Sequence, residues 1–487
     1  MNTRAKNEAA TPAPTPSRHA VVLGGSLAGL LAARILAEQF DHVTLIERDA
    51  YKETTETRKG QPQANHVHGL LARGCQILED LFPGLQDELI AAGAPRVDMA
   101  NEIAWFTRAG WGIRFPSDLK VLAFTRPLLD LHVRRRIASN PRIEILDNTD
   151  VVRLIADSKV NHVAGVLICP RASESDRRVA KELRADLVVD ATGRASRAPR
   201  WLSDLGYESP QEIVIDANLG YASRIYRIPE NFDGDWHFAY VQSAPPERKR
   251  GAILFKVEDN RWLVTLIGGG GNHPPSDEAG FLDFARSLPV SIIHDAISKA
   301  EPLTPIKTHR STQNRLRQYE RLNQLPENFV LLGDAVCAFN PVYGQGMTTA
   351  ALGALALRKC LLEQNGSFKG LSRRFQKRLA KVNETPWMLA TSEDYRYGET
   401  VGGSPGFMTR FMHRYMDQVI ELSTRSVVVR DVLLRAFNML IPPSALFHPR
   451  VLFRVLAQMP KPRWRYSERP MRKQIRAQVL SHAEARE

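Results

Sequence analysis

A chain of 487 residues, 43% of them hydrophobic, is long enough for two or three domains with sizeable cores, yet no apolar run is long enough to span a bilayer. Its four cysteines (Cys75, Cys169, Cys337, Cys360) show neither CxxC nor metal spacing, which reads as free thiols in a reducing, cytoplasmic setting. The net charge of +13 is uneven: Lys369–Glu487 holds 22 Lys/Arg against 10 Asp/Glu, a net of +12, with no zinc ligands or aromatic–basic platform to suggest nucleic-acid binding.

Taken in chain order, residues 1–18 (MNTRAKNEAATPAPTPSR) lack an apolar signal core and read as a disordered tail. Val21–Leu23 suits a buried parallel strand, Ala28–Gln39 has helical apolar spacing, and His42–Ile46 supplies a second strand ended by Glu47. This is a βαβ unit with a glycine turn at Gly24, Gly25 and Gly29, and Ser26 stands at the middle glycine position of G-x-G-x-x-G. Such a turn places a pyrophosphate at the helix N-terminus, and an acid roughly 20 residues on accepts from ribose hydroxyls. Tyr51–Gln63 is polar and charged, Leu70–Leu81 a helix, and Trp105–Phe124 a set of strand pieces broken by Gly110, Gly112 and Pro116. An Arg-rich helix over Pro127–Ala138 precedes strands near Ile143–Leu146, Val151–Ile155 and Val163–Ile168.

Leu187–Val189 forms another buried strand, closed by Asp190 and a Thr192-Gly193 turn; taken alone, it is an ordinary strand end. Longer alternating runs from Ile213 to Ile267 predict an antiparallel sheet with one face covered, followed by a loop at Gly268–Gly271. The most informative stretch is VLLGDAVCAFNPVYGQGMTTAAL, Val330–Leu352. It reads as a strand ending in Gly333-Asp334, a proline-bearing loop, and a helix opening at Gly344-Gln345-Gly346, whose bare N–H groups suit an anion or a polarised carbonyl. Helices follow over Gly346–Leu362, Leu371–Leu389 and Val427–Ile441, with a Phe/Met stripe from Phe407 to Ile420 that reads first as core packing.

Together these segments resemble the FAD-dependent monooxygenases of the aromatic-hydroxylase type, nearest to the bacterial olefin epoxidases of polyether biosynthesis. GGSLAGLLAARILAEQFDHVTLIERD is similar to their ADP-binding unit, Asp190–Arg197 to their second flavin-binding turn, and FNPVYGQGM to their riboflavin-side motif. Gln63–Leu70 and Phe124–Asp130 also resemble segments of that family. The resemblance implies an α/β fold with a Rossmann-like FAD-binding domain (19–200 and 306–365), an inserted antiparallel β-sheet substrate domain (201–305) and a helical C-terminal segment (366–487). It implies FAD held by Gly24, Gly25, Ser26, Gly29, Glu47, Arg48, Arg126, Val151 (through its backbone), Asp334, Gly344, Gly346 and Met347, the last two presenting N–H groups to the flavin N1/O2 edge. His66 and His68 read first as structural groups, with flavin or substrate contact as the sharper alternative, and His309 and Arg310 enter as pocket candidates.

The implied reaction inserts one oxygen atom from O2 into an apolar small-molecule substrate through a flavin C4a-hydroperoxide, by epoxidation or else by hydroxylation. The flavin carries the hard step, so no catalytic triad is needed. A flavin-dependent halogenase shares the scaffold, but W-x-W-x-I-P is absent and Gly344-Gln345-Gly346 has the monooxygenase form. A flavin reductase of prenyl double bonds and a non-catalytic flavin-binding protein are further alternatives. NAD(P)H is the expected electron donor, directly or through a flavin reductase, since no second dinucleotide unit is visible. The basic C-terminal quarter, including Arg463, Arg465, Arg472 and Lys473, is expected to meet a peripheral membrane surface or an acidic partner such as a reductase or carrier protein.

Overall fold

The computed structural model describes residues 17–157, 161–171, 179–364 and 367–458. The expected tail therefore lies almost wholly outside the described residues, as do the four basic residues at 463, 465, 472 and 473.

The apolar runs read as buried strands assemble into one five-stranded parallel sheet. Its order is Phe329–Leu331, Leu187–Asp190, His19–Leu23, His42–Ile46 and Ile143–Leu146. These strands are apolar at successive positions because helices cover both faces: Val21, Val22, Leu187, Val188, Val330 and Leu331 are all fully buried. Leu23 pairs with both Ile46 and Asp190, and Asp190 with Leu331, so four strands end level with one another. The turns after Leu23, Asp190 and Leu331 consequently leave the sheet at one edge. Helix Gly346–Leu362 packs beside helix Leu27–Leu36 and under helix Leu371–Asp394.

A seven-stranded sheet forms the second layer, in the order Lys307–His309, Gly220–Arg227, Arg261–Gly268, Arg250–Val257, Phe238–Val241, Ile103–Thr107 and Gly110–Trp111. All its pairings are antiparallel except that between Phe238–Val241 and Ile103–Thr107. The sheet thus draws strands from outside the 201–305 window. IAWFT (103–107) is buried along its whole length, and its partner lies more than a hundred residues downstream, a pairing that local pattern does not disclose. Alternation along the strands decides the two faces. Ala222, Leu254, Val264 and Leu266 pack against Phe281, Phe284 and Ile293 of two short helices, while Tyr221, Ile253, Thr265 and Ile267 turn toward the parallel-sheet layer and line a cavity.

Helices Phe407–Leu422 and Val427–Phe437 close that cavity from the far side, and Pro449–Leu456 packs against the first of them. The second is shorter than the expected 427–441, because the chain leaves it through Met439 at φ 55°. The helix expected over 371–389 instead continues to Asp394 and contains Pro386. The Phe/Met stripe divides three ways: Tyr415 and Val419 are core, Met416 and Ile420 line the cavity, and Phe407, Met408 and Phe411 are 78%, 65% and 52% exposed. Asn438 ties this cap to the rest, since its Oδ1 accepts from Ala72 N at 3.0 Å and its carbonyl from Arg73 N at 3.2 Å. No helix among the described residues is long and apolar enough to cross a membrane.

Candidate functional site

The glycine turn is built by contacts that only glycine permits. Gly24 has φ +95°, and a Cβ on Gly29 would stand 1.8 Å from the Gly24 carbonyl oxygen, so the helix starts hard against the strand end. Ser26 is the N-cap of helix Leu27–Leu36, but its side chain makes no cap hydrogen bond. Its Oγ accepts instead from Gln61 Nε2 at 2.6 Å and from Arg126 Nη2 at 3.1 Å. An open helix N-terminus with a guanidinium and an amide converging beside it is a ready anion site, which fits a pyrophosphate. Glu47 accepts from Gly25 N at 2.7 Å and pairs with Arg58 at 3.2 Å, while Arg126 is held by Asp130 at 2.7 Å. Tyr51 donates to the Gly25 carbonyl at 2.7 Å. Tyr51, Arg58 and Gln61 all come from the polar 51–63 segment, whose composition reads as loop and gives no sign of this convergence.

Gly24, Gly25, Ser26, Gly29, Glu47 and Arg126 are therefore brought together. Val151 lies in the strand that adjoins Glu47 through the Thr149 N to Glu47 O bond of 2.9 Å. Arg48 is exposed, and its carbonyl accepts from Arg171 at 3.2 Å.

On the flavin side, Asp334 follows the Phe329–Leu331 strand. Its carboxyl lies 3.9 Å from Arg194, with a side chain 42% reachable by water. Surrounding protein nevertheless pushes its pKa up against the pull of Arg194, Arg126 and Arg315. Gly344 (φ +64°) and Gly346 open helix Gly346–Leu362, and no atom lies within 4 Å of a Cβ built on either. Gln345, the N-cap, keeps a buried Oε1 without a partner. Open space beside a helix N-terminus with uncapped donors fits a flat ring carrying a polarised carbonyl edge. Cys337 is buried beside this loop, and burial drives its thiol pKa well up, so it stays protonated.

Behind the loop sits Asp394, fully buried. Its Oδ2 accepts from Asn314 Nδ2 at 2.6 Å, and its Oδ1 accepts from Asn340 Nδ2 at 3.2 Å and Tyr343 OH at 2.5 Å. Burial pushes its pKa up to about 7 despite these donors. Asn340 and Tyr343 bracket the Pro341–Val342 turn, so Asp394 positions the flavin-side loop from the end of helix Leu371–Asp394, beyond the 371–389 expected from sequence.

The cavity itself encloses about 300 Å³ between the loop, the second sheet and the C-terminal helices. Tyr343, Gly344 and Gln345 belong to its wall, as do Trp105, Phe255 and Phe437. His66 and His309 line it, whereas Arg310 is exposed and outside it. His68 is not part of the wall; its Nδ1 lies 2.9 Å from the His66 carbonyl. His66 ends a relay. Thr265 Oγ1 accepts from Val67 N at 2.9 Å and lies 2.6 Å from Ser223 Oγ, which lies 2.7 Å from His66 Nδ1. The arrangement in which each hydroxyl proton finds an acceptor leaves the His66 proton on Nε2, which has no partner among the described residues. Burial, then His309 and His68, hold its pKa down to about 3, so the ring is neutral.

The wall also holds residues that the sequence did not single out, Arg430 among them. Arg430 is 1% exposed, and its guanidinium lies 4.7 Å from the Trp105 ring. Its Nε and Nη1 are buried without an acceptor among the described residues. A desolvated cation–π contact supplies about 2 kcal/mol, against a burial penalty of several kcal/mol for an ion. Desolvation accordingly lowers its pKa to about 10, which still leaves it charged at neutral pH.

A parallel sheet with a glycine turn, a terminal acid and a second flavin-side helix start defines a dinucleotide-binding flavoprotein. Residues 18–367 match the FAD binding domain family, and the chain belongs to that family. It is 32% identical over 435 residues to Protein Rv3254 of Mycobacterium tuberculosis (strain ATCC 25618 / H37Rv), covering 87% of this chain and 90% of that protein. The flavin-dependent brominase Bmp2 shares the fold at TM-score 0.63 and 13% identity, over 90% of this chain and 98% of that one. PqsL of Pseudomonas aeruginosa, described as a "probable FAD-dependent monooxygenase", shares it at TM-score 0.53 and 19% identity, over 78% and 98%. The mixed α/β architecture and the FAD-dependent oxidoreductase class expected from the motifs are thereby established; the epoxidase relationship is not.

Proposed function

We propose that the protein is a monooxygenase that uses FAD and O2 to insert one oxygen atom into an apolar substrate, by epoxidation of an olefin or otherwise by hydroxylation. One observation carries this reading: Tyr343, Gly344 and Gln345 of the flavin-side loop form part of the wall of an apolar cavity that the C-terminal helices close. FAD, once reduced, supplies the oxygen activation. The chain's own residues bind, orient and exclude water.

Gly24, Ser26, Glu47 and Arg126 would hold the ADP portion, Asp334 the ribityl or pyrophosphate portion, and the Gly346 and Met347 N–H groups the carbonyl edge of the ring. Asp394 fixes the Asn340–Tyr343 turn that leads into the helix carrying these last donors. Neutral His66 offers a hydrogen-bond donor at Nε2 inside a dry wall of Tyr221, Ile253, Phe255 and Ile267. NAD(P)H is the proposed source of electrons, directly or through a reductase. The test is turnover of the FAD-loaded protein with reductant, labelled O2 and a panel of olefins and phenols, read by mass spectrometry. One labelled oxygen atom in the product is the expected result. Halogenated product in halide buffer without oxygenated product would replace this reading with halogenation, and saturation of the double bond without oxygen would replace it with reduction.

A further inference from the structure

We infer that Arg430 is the receptor for an anionic head group, so that the substrate is a carboxylic acid with an apolar body. The inference rests on the reading of the cavity as the substrate site and names the class of molecule it takes. Arg430 and Glu393 are the cavity-lining residues that carry full charges. Glu393 is already paired, with both carboxylate oxygens 3.1 Å from Arg396 Nε. His66 and His309 are kept uncharged chiefly by burial, and burial also raises the Tyr240 and Tyr397 hydroxyls, so neither supplies an anion. The cavity therefore presents one uncompensated positive charge.

The wall is shaped to hold that charge. A Cβ on Gly112 would come within 2.6–2.8 Å of the guanidinium, so the absence of a side chain at 112 makes its room, and the Trp105 ring lies 4.7 Å from it. A buried guanidinium whose Nε and Nη1 have no acceptor among the described residues leaves charge-assisted donors unused, and a planar guanidinium suits a carboxylate. The acid would anchor at the Trp105–Arg430 end and leave its body to Ile253, Phe255 and Ile267.

Two isosteric pairs test this on the oxidised, FAD-loaded protein: naphthalene-2-carboxylate with its carboxamide, and decanoate with decanamide. Binding is read by calorimetry and by perturbation of the flavin spectrum. No turnover is involved, so the outcome is independent of whether oxygenated product forms. At least one acid should bind roughly 10- to 100-fold more tightly than its amide, as a charge-assisted bond requires. Arg430→Met should abolish the preference, and Arg430→Lys should retain part of it. Without ligand, Arg430→Met should melt no lower than wild type, because it removes an unpaired buried charge. Equal binding of acid and amide by the wild type, failure of both acids to bind, or a preference that survives in Arg430→Met would overturn the inference. The wild-type comparison needs no variant and stands even if Arg430→Met does not fold.

Discussion

The two ends of the candidate site are built on different principles. The cofactor end rests on backbone: a left-handed glycine, a helix packed on a strand end, and N–H groups left open at two helix starts. The substrate end rests on side chains delivered by distant segments, with Trp105, Phe255, Arg430 and Phe437 meeting across the cavity. Backbone geometry tolerates almost no substitution, whereas a wall of side chains can be rebuilt without disturbing the fold. A chain so divided can keep its cofactor chemistry while its substrate changes.

The harshest way to probe this contrast is Gly29→Val. A Cβ there would lie 1.8 Å from a main-chain oxygen that cannot move aside without parting the helix from the sheet. The expected cost lies at or beyond the upper end of the about 1–3 kcal/mol of ordinary overpacking. The purified variant should be colourless, and a variant with full flavin absorbance would show that the close approach is not required.

Asp394 sits where the two ends meet. Removing its carboxyl in Asp394→Ala strands the donors of Asn314, Asn340 and Tyr343, at about 1–3 kcal/mol for a buried unsatisfied group. Its titration also has a definite sign. The folded pKa is raised to about 7 from 3.8, so between those values the unfolded chain has already released the proton that the folded protein retains. Asp394 therefore makes stability fall as pH climbs from about 4 to about 7, with no further loss above. Asp394→Asn should flatten that segment of the stability profile, and denaturant midpoints measured across the window would reveal it.

Asp334→Ala should act more gently and on the cofactor alone. One charge-assisted hydrogen bond is worth about 1.5–3 kcal/mol, so FAD affinity should fall by roughly tenfold or more while the melting temperature of the apoprotein holds. Wild-type FAD affinity in this variant would remove Asp334 from the cofactor's ligands.

What the sequence disclosed follows the same division. The βαβ unit at 19–47, the Asp190 turn and the 330–352 segment were legible because each is local: strand, turn and helix are contiguous, and the glycines have to stand where they do. Ile103–Thr107 could not be assigned to the second sheet, since its partner Phe238–Val241 is remote and the intervening glycines obscure the pattern. Arg58 and Gln61 were hidden in a segment whose charge reads as loop. Arg430 was hidden for another reason: in VVVRDVLLRAF an arginine every few residues looks like the wet face of a helix, and only the tertiary structure shows that Arg430 points inward while Arg435 meets Asp118 at the surface.

The mildest perturbation concerns the outer surface of the cap, whose residues can be altered without touching the cavity. Phe407 and Phe411 stand one helical turn apart at 78% and 52% exposure, and Arg410 and Arg414, both exposed, fall at the i+3 and i+7 positions of the same helix. Aromatic rings interleaved with arginines on one helical face suit the interface of an anionic bilayer. Because the rings are solvated already, Phe407→Ser with Phe411→Ser should shift stability by no more than about 0.5 kcal/mol. The effect should instead be one of location. The wild type should sediment with phosphatidylserine-containing vesicles at low salt, and added salt should release it, because exposed charges are screened within about 8 Å at physiological ionic strength. The double serine variant should lose this binding, and Arg410→Gln with Arg414→Gln should lose its dependence on anionic lipid. Binding to an acidic carrier protein that needs the arginines but not the phenylalanines would identify a protein partner instead, and a wild type that ignores vesicles at every salt concentration would show this face to be merely hydrated.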